Sequence, residues 1–439
     1  MGTLMQILKL RGLTMHSAAD VADVRIRRRS LARAAATLLA LGAIALTTSV
    51  IATERHDDAH WVGTWSASPQ GVAAAIQING QTVRQIVHTS LGGERVRVRF
   101  SNAYGTSGLV IGSAHVAIST GGATISSTTD RVLTFNGSPT IIIPAGALVV
   151  SDPVTLNVPA LGDLAVSLFL PANVAATTQH PVGLQTTYVS ASGDFTGAAI
   201  EPTTTTQSYY FLTGVEVSAS NRARAIVTLG DSVTDGFGST PDTNQRWPNL
   251  LAERLQSQWA TSRLTVLNAG VSGNRVLHDF VGTSALARLD RDTLVQTGVK
   301  YVIVGEGNND LLIPGLIGNP AEVVTVAQII QGHRQMIDRA HALGLRIYGS
   351  TLTPVEGYPF PGFWTPDLEA KRQAVNHWIR ASRAYDAVID FDKLLRDPNH
   401  PSRLLPAYDS GDHLHPNDGG YRTMADAIDL SLFRDDDED

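Results

Sequence analysis

Residues 226–238, IVTLGDSVTDGFG, begin as a short apolar, β-branched run and end in glycines, with Ser232 at the turn between. Such a run bounded by Gly and Asp reads as a buried strand. Further runs follow it: LTVLNAG, YVIVGEG, LRIYGSTL and AVIDF, each separated from the next by a segment of helical period. In one of these segments Val326, Ile329, Ile330, Ile337 and Ala340 share a helical face, and Gly344 follows as a stop. Strands alternating with helices in this way predict a parallel sheet covered by helices.

Before residue 220 the pattern differs. RVRVRF (Arg95–Phe100) alternates charged and apolar residues with the period of a strand that has one wet face. TIIIPAGALVVSDPVTLNV (Thr140–Val158) and DLAVSLFL (Asp163–Leu170) continue as short strands broken by Gly, Pro, Asn and Asp. No long helical period interrupts them, which predicts an all-β sandwich or jelly roll. EPTTTTQ (Glu201–Gln207) reads as a surface loop. The chain therefore divides into an export-signal region (1–52), an N-terminal β domain (53–220) and an α/β domain (221–435).

Composition limits the function classes. The 439 residues carry a net charge of −6, are 43% hydrophobic and 17% charged, and include no cysteine. This is the composition of an ordinary globular protein, with no disulfide scaffold, thiol chemistry or cysteine metal site. The one dense basic run, Arg25, Arg27, Arg28, Arg29 and Arg33, precedes an apolar stretch from Ala34 to Ala45 instead of forming a nucleic-acid-binding stripe. With Val50 and Ala52 at small-residue positions, it predicts an export signal cleaved near Ala52, of a twin-arginine type given Arg28 and Arg29. An uncleaved anchor over Leu31–Ile51 is the competing reading, and it would confine membrane contact to this segment.

Ser232 follows the first strand of the α/β region, at the edge where open parallel sheets place their ligands. A free hydroxyl is a weak nucleophile and needs a base, which in turn needs a third group to orient it. DSGDHLHPND supplies both, since Asp412 lies three residues before His415 and its carboxylate can hold one ring nitrogen while the other faces Ser232. His413 is the competing base, without an Asp at that offset. Asp412, His413, His415 and Asp418 could also ligate a metal, but no further ligand stands at a convincing spacing, so no metal is expected. Donors for a developing oxyanion are available at two more strand ends: the N–H of Gly273 in NAGVSGNRVL and the side-chain amide of Asn309 in GEGNND, beside the Ser232 N–H. A G-x-S-x-G nucleophile elbow is excluded, because Thr234 occupies the second glycine position.

Ser232 in GDS, Gly273 in SGN, Asn309 in GNND and His415 in DHLHP resemble, in order and spacing, the four blocks of the SGNH (GDSL-type) hydrolases. The resemblance covers residues 222–433. It implies a flavodoxin-like α/β/α fold and a serine esterase or acylhydrolase, without cofactor, acting on small-molecule or polysaccharide esters. The strings GNRVLHD, SALARLDRD, HPNDGGYRTMADAIDL and WVGTWSASP resemble a secreted bacterial subgroup bearing an N-terminal β domain. One departure is Asn308, where that subgroup usually has an apolar residue; the assignment goes to Asn309 because Asp310 follows it directly. A different function class also fits the sequence. Trp61, Trp65, Tyr209 and Tyr210 could form aromatic platforms of a carbohydrate- or surface-binding protein with a vestigial hydrolase domain.

Overall fold

A computed structural model describes residues 59–434, apart from Ala73. The expected export signal and its competing anchor lie outside the described residues, among which no helix is long and apolar enough to cross a membrane.

Antiparallel strands occupy the chain from His60 to Ala219: β1 (His60–Ser66), β2 (Gln70–Gly71), β3 (Gln77–His88), β4 (Gly93–Ser101), β5 (Ser113–Gly121), β6 (Leu148–Val150), β7 (Val154–Val158), β8 (Asp163–Ala175), β9 (Thr178–His180), β10 (Thr187–Ser192), β11 (Pro202–Thr206), β12 (Tyr209–Tyr210) and β13 (Leu212–Ala219). One sheet runs β1-β13-β4-β6 with β7 also on β4, and a second contains β11-β10-β3-β8-β5. The period-two alternation of β4 is kept: Val96, Val98 and Phe100 are fully buried between sheets while Arg95, Arg97 and Arg99 share the opposite, half-buried face. The threonine run forms the edge strand β11 instead of a loop, because β-branched side chains suit an exposed, pleated edge. A small third sheet, β12-β9-β2, carries His180 at the end of β9.

From Arg224 onward every pairing in the main sheet is parallel. The strands are β14 (Arg224–Gly230), β15 (Leu264–Gly270), β16 (Val299–Gly305), β17 (Arg346–Ser350) and β18 (Ala387–Ile389), in the order β15-β14-β16-β17-β18. This is the doubly wound, flavodoxin-like order, whose ligand crevice opens at the carboxyl ends beside the first strand. The helices include α1 (Ser232–Asp235), α2 (Trp247–Gln256), α3 (Ala285–Leu289), α4 (Asn308–Leu316), α5 (Val326–Ala342), α6 (Pro366–Ala381) and α7 (Asp418–Asp426). Helix α5 spans the predicted periodic segment and buries Ile329, Ile337 and Ala340, and a Thr325–Gln328 capping box starts it.

The two regions share a core. Val227, Leu267 and Ala269 of β14 and β15 pack in the same buried cluster as Val62 of β1 and Val96, Val98 and Phe100 of β4. Ile226 and Val266, on the opposite face of the same strands, pack under α2 and α7 with Leu250, Leu251 and Met424. Antiparallel β1 thus covers one face of the parallel sheet where a helix would otherwise lie; at Gly63 even a methyl group would meet the Leu267 side chain at 2.7 Å.

The strand register sets the site. Gly230 pairs with both Gly270 and Gly305, so three strands end level. At Gly270 a Cβ would lie 2.3 Å from the Asp235 backbone nitrogen. Only glycine lets α1 sit that close over the neighbouring strand end.

Candidate active site

Ser232 is half-buried and begins the single turn of α1, directly after β14. Asp231 caps that turn by accepting from the Val233 N–H at 3.0 Å. His415 stands on the loop before α7. Its Nε2 lies 2.9 Å from Ser232 Oγ and its Nδ1 lies 2.5 Å from Asp412 Oδ2. The other oxygen of Asp412 accepts from the backbone N–H of Leu414 (2.9 Å) and of His415 (2.8 Å). The carboxylate is thereby locked against the ring, which assigns the proton to Nδ1 and leaves the Nε2 lone pair for the serine hydroxyl. Burial works against charge on Asp412, but the hydrogen bonds and charge of His415 outweigh it and hold the carboxyl well below the usual carboxylate range. Asp412 is therefore held as a carboxylate.

The loop that presents His415 is fixed from below. Asn417 caps α7 through the Gly420 N–H and donates to the carbonyls of Ala407 and Asp409, while Asp418 accepts from the N–H and hydroxyl of Thr240. His413 has no Asp at the three-residue offset but pairs with one four residues back: its Nδ1 lies 2.6 Å from Asp409 Oδ2, where a left-handed backbone at His413 (φ 66°) turns the chain back on itself. This second pair is exposed, and neither nitrogen is bonded to Ser232.

Gly273 lies in a tight turn closed by the Asn274 N–H to the Val271 carbonyl at 3.0 Å, and its φ of +78° is the value that the third position of a type II turn requires. At the start of α4 the two asparagines part. Asn308 is turned inward and donates to the Thr353 carbonyl and hydroxyl, whereas the Asn309 amide makes no hydrogen bond among the described residues. Asp310 Oδ2 and Oδ1 accept from the Val276 and Leu277 N–H groups at 2.7 and 3.1 Å, which ties the segment after Gly273 to the helix carrying Asn309. Burial pushes Asp310 up to about 6 despite those bonds, and it does the same to Asp231.

Three further residues were not legible as site residues. Arg288, in SALARLDRD, is 1% exposed and donates to the carbonyls of Ala269 (2.7 Å) and Gly230 (3.1 Å), to Asn274 Oδ1 (2.9 Å), to Glu306 (3.4 Å) and to the Ser68 hydroxyl (3.2 Å). One guanidinium thus fastens two strand ends, the Gly273 segment and the β region. Asp235 and His180 are the other two. The aromatic rings around the centre are Phe237, whose centroid is 4.5 Å from that of His415, and Tyr358, at 6.5 Å and in tilted contact with Phe360 and Phe363. Tyr209 and Tyr210, by contrast, are core residues, 1% and 2% exposed, and no platform. Among the described residues no cluster of metal-ligating side chains occurs.

Solved structures similar to this chain include an aryl esterase of M. smegmatis (16% identity, 48% of this chain and 99% of that one, TM-score 0.38). Others are a carbohydrate acetylesterase of Sinorhizobium meliloti (16%, 48% and 98%, TM-score 0.37) and a GDSL-like lipase of Bacteroides thetaiotaomicron (17%, 49% and 90%, TM-score 0.36). No curated protein sequence matches. Residues 228–423, which contain Ser232, Gly273, Asn309, Asp412 and His415, match the GDSL-like lipase/acylhydrolase family, and the parallel-sheet region is a domain of that family.

Proposed function

We propose that this chain is a serine esterase that cleaves carboxylic esters through an acyl-enzyme. The contact that carries the reading is the relay from Asp412 through His415 to Ser232, with spacings of 2.5 and 2.9 Å. Ser232 Oγ attacks the ester carbonyl as His415 Nε2 takes its proton. The imidazolium, paired with Asp412, passes the proton to the leaving alcohol, and a water then repeats the sequence to release the acid. The Ser232 and Gly273 N–H groups and the Asn309 amide bind the oxyanion; the free Asn309 amide and the engaged Asn308 amide support that choice.

A fluorophosphonate probe should label the native protein and leave Ser232→Ala unlabelled, with hydrolysis of p-nitrophenyl esters lost in the same variant. A pure binding protein would stay unlabelled in both forms, and an active Ser232→Ala protein would overturn the assignment. Asn309→Ala should lose about 10²- to 10³-fold in kcat, the cost of one oxyanion donor elsewhere. The exposed ring of Phe237 (42%) against His415, and that of Phe360 (49%) against Tyr358, support an apolar acyl or aryl group on the substrate. We also propose export of the chain by its N-terminal segment; N-terminal sequencing of secreted protein tests this, with a mature chain starting before Arg25 as the contrary result.

A further inference from the structure

The β region enters the candidate site through a histidine. His180, at the end of β9, is buried with both ring nitrogens engaged: Nδ1 is 2.9 Å from the Ser68 carbonyl and Nε2 is 2.9 Å from Asp235 Oδ1. Both partners present acceptor oxygens to the ring, one at each nitrogen. Asp235 is 1% exposed and lies three residues after Ser232. Its other oxygen accepts from the N–H (2.9 Å) and the hydroxyl (2.7 Å) of Ser272. Ser272 is the second residue of the turn whose third is Gly273.

A continuous line of buried hydrogen bonds thus runs from the Ser68 peptide through His180 and Asp235 to the residue before an oxyanion donor. Without His180, Asp235 Oδ1 has no other hydrogen-bond partner among the described residues. A buried carboxylate left with one oxygen unpaired reorients or admits water. Either change releases the turn at Ser272.

We propose that His180 is a positioning residue for ester hydrolysis: by holding Asp235 it fixes the turn 271–274 so that the Gly273 N–H points at the oxyanion. The β region is then part of the catalytic apparatus. This rests on the esterase reading above.

Two substitutions separate the two ends of the ring. In His180→Gln the side-chain amide nitrogen takes the place of Nε2 and keeps the bond to Asp235; in His180→Asn it takes the place of Nδ1 and keeps only the bond to Ser68. Each variant loses one hydrogen bond, so a merely structural role affects both alike. Positioning through Asp235 predicts that His180→Asn loses kcat by up to about 10²-fold, the cost of a misplaced group, with KM nearly unchanged. His180→Gln should restore kcat to near the native value. Backbone amides of residues 271–277 should exchange with deuterium faster in His180→Asn and at the native rate in His180→Gln. Equal kcat in the two variants, or native exchange over 271–277 in His180→Asn, overturns the proposal. Should the native protein neither hydrolyse esters nor take up the fluorophosphonate, the esterase reading fails on its own, and the exchange comparison still decides whether His180 holds the turn.

Discussion

The antiparallel and parallel regions both bury arginines, and Arg84 and Arg288 are used differently. Arg84, fully buried in β3, donates to Ser167 Oγ and to the carbonyls of Ala123, Phe195, Thr196 and Ala198, all within the antiparallel region. Arg288 is as deeply buried but reaches outward, from strand ends and the Gly273 segment to Ser68 of the other region. Buried polar groups must be satisfied wherever they occur. Arg84 closes its region on itself, whereas Arg288 sits beneath the strand ends of the candidate site and binds them to the neighbouring region. Sequence position makes the β region look like an appendage, yet its contacts make it a support of the site.

The strongest way to break this comparison is to remove residues 59–220. Excision uncovers Val227, Leu267 and Ala269 and takes away Ser68 and His180, so the remaining 221–434 fragment is expected to be insoluble and inactive. A soluble, cooperatively unfolding and fully active fragment would show the regions to be independent. Paired arginine substitutions sharpen the contrast. Arg84→Met and Arg288→Met should each lose about 3 kcal/mol in denaturant unfolding, because each leaves several buried acceptors unpaired. At a temperature where both remain folded, Arg288→Met should also lose about 10²-fold in kcat, and Arg84→Met should keep native turnover. Equal kcat in the pair would assign Arg288 to stability alone.

What the sequence showed and what it hid divide along the same line. The alternation of RVRVRF and the apolar runs from Ile226 onward were legible because burial follows the local period of the backbone. Ser232, Gly273, Asn309 and His415 were legible because each stands at a strand end or in the loop beside one, with a residue type suited to one step of acyl transfer. Nothing local marks His180 or Asp235. Their partnership exists only once β9 is laid against α1, and a histidine after Thr-Gln or an aspartate before Gly-Phe looks like any other. Arg288 was visible only as part of SALARLDRD. The pairing of His413 with Asp409 depends on a left-handed turn that no periodicity announces.

Two aspartates extend the contrast to pH. Around Asp152 in the β region, burial is outweighed by hydrogen bonds from Thr134, Gly137 and Asn136, and the carboxyl lies below its usual value. Its contribution to stability is present above the ordinary aspartate range and is lost as pH falls through the lowered value. Asp310 has the opposite sign. Raised to about 6 by burial, it stabilises the fold fully below the unfolded value of 3.8 and loses that contribution as pH rises through about 6. The displacement corresponds to about 3 kcal/mol. Unfolding titrations between pH 4 and 7 should therefore show a flatter stability profile for Asp310→Asn than for the native chain. An unchanged slope would place the titration elsewhere, with Asp231 the next group to replace.

The smallest expected effect concerns the rim. Phe237 has no counterpart in the antiparallel region, where Tyr209 and Tyr210 are packed into the core and Trp61 lies under the Arg97 guanidinium. The Phe237 ring is 42% exposed although it lies against His415, and the Tyr421 hydroxyl donates to its carbonyl at 2.6 Å and so holds its backbone. An apolar ring left half in water beside His415 gains burial only when an apolar group arrives, so on the esterase reading its contribution should grow with the acyl chain. Phe237→Ala should leave kcat/KM for an acetyl ester near native and lower that for an octanoyl ester about fivefold, or about 1 kcal/mol, the scale of one incompletely buried contact surface. An equal loss on both esters would mean that the ring serves the imidazole and not the substrate. The apolar wall would then have to be sought at Tyr358, whose ring is 6.5 Å from that of His415, and at Phe360, tilted against it at 5.2 Å.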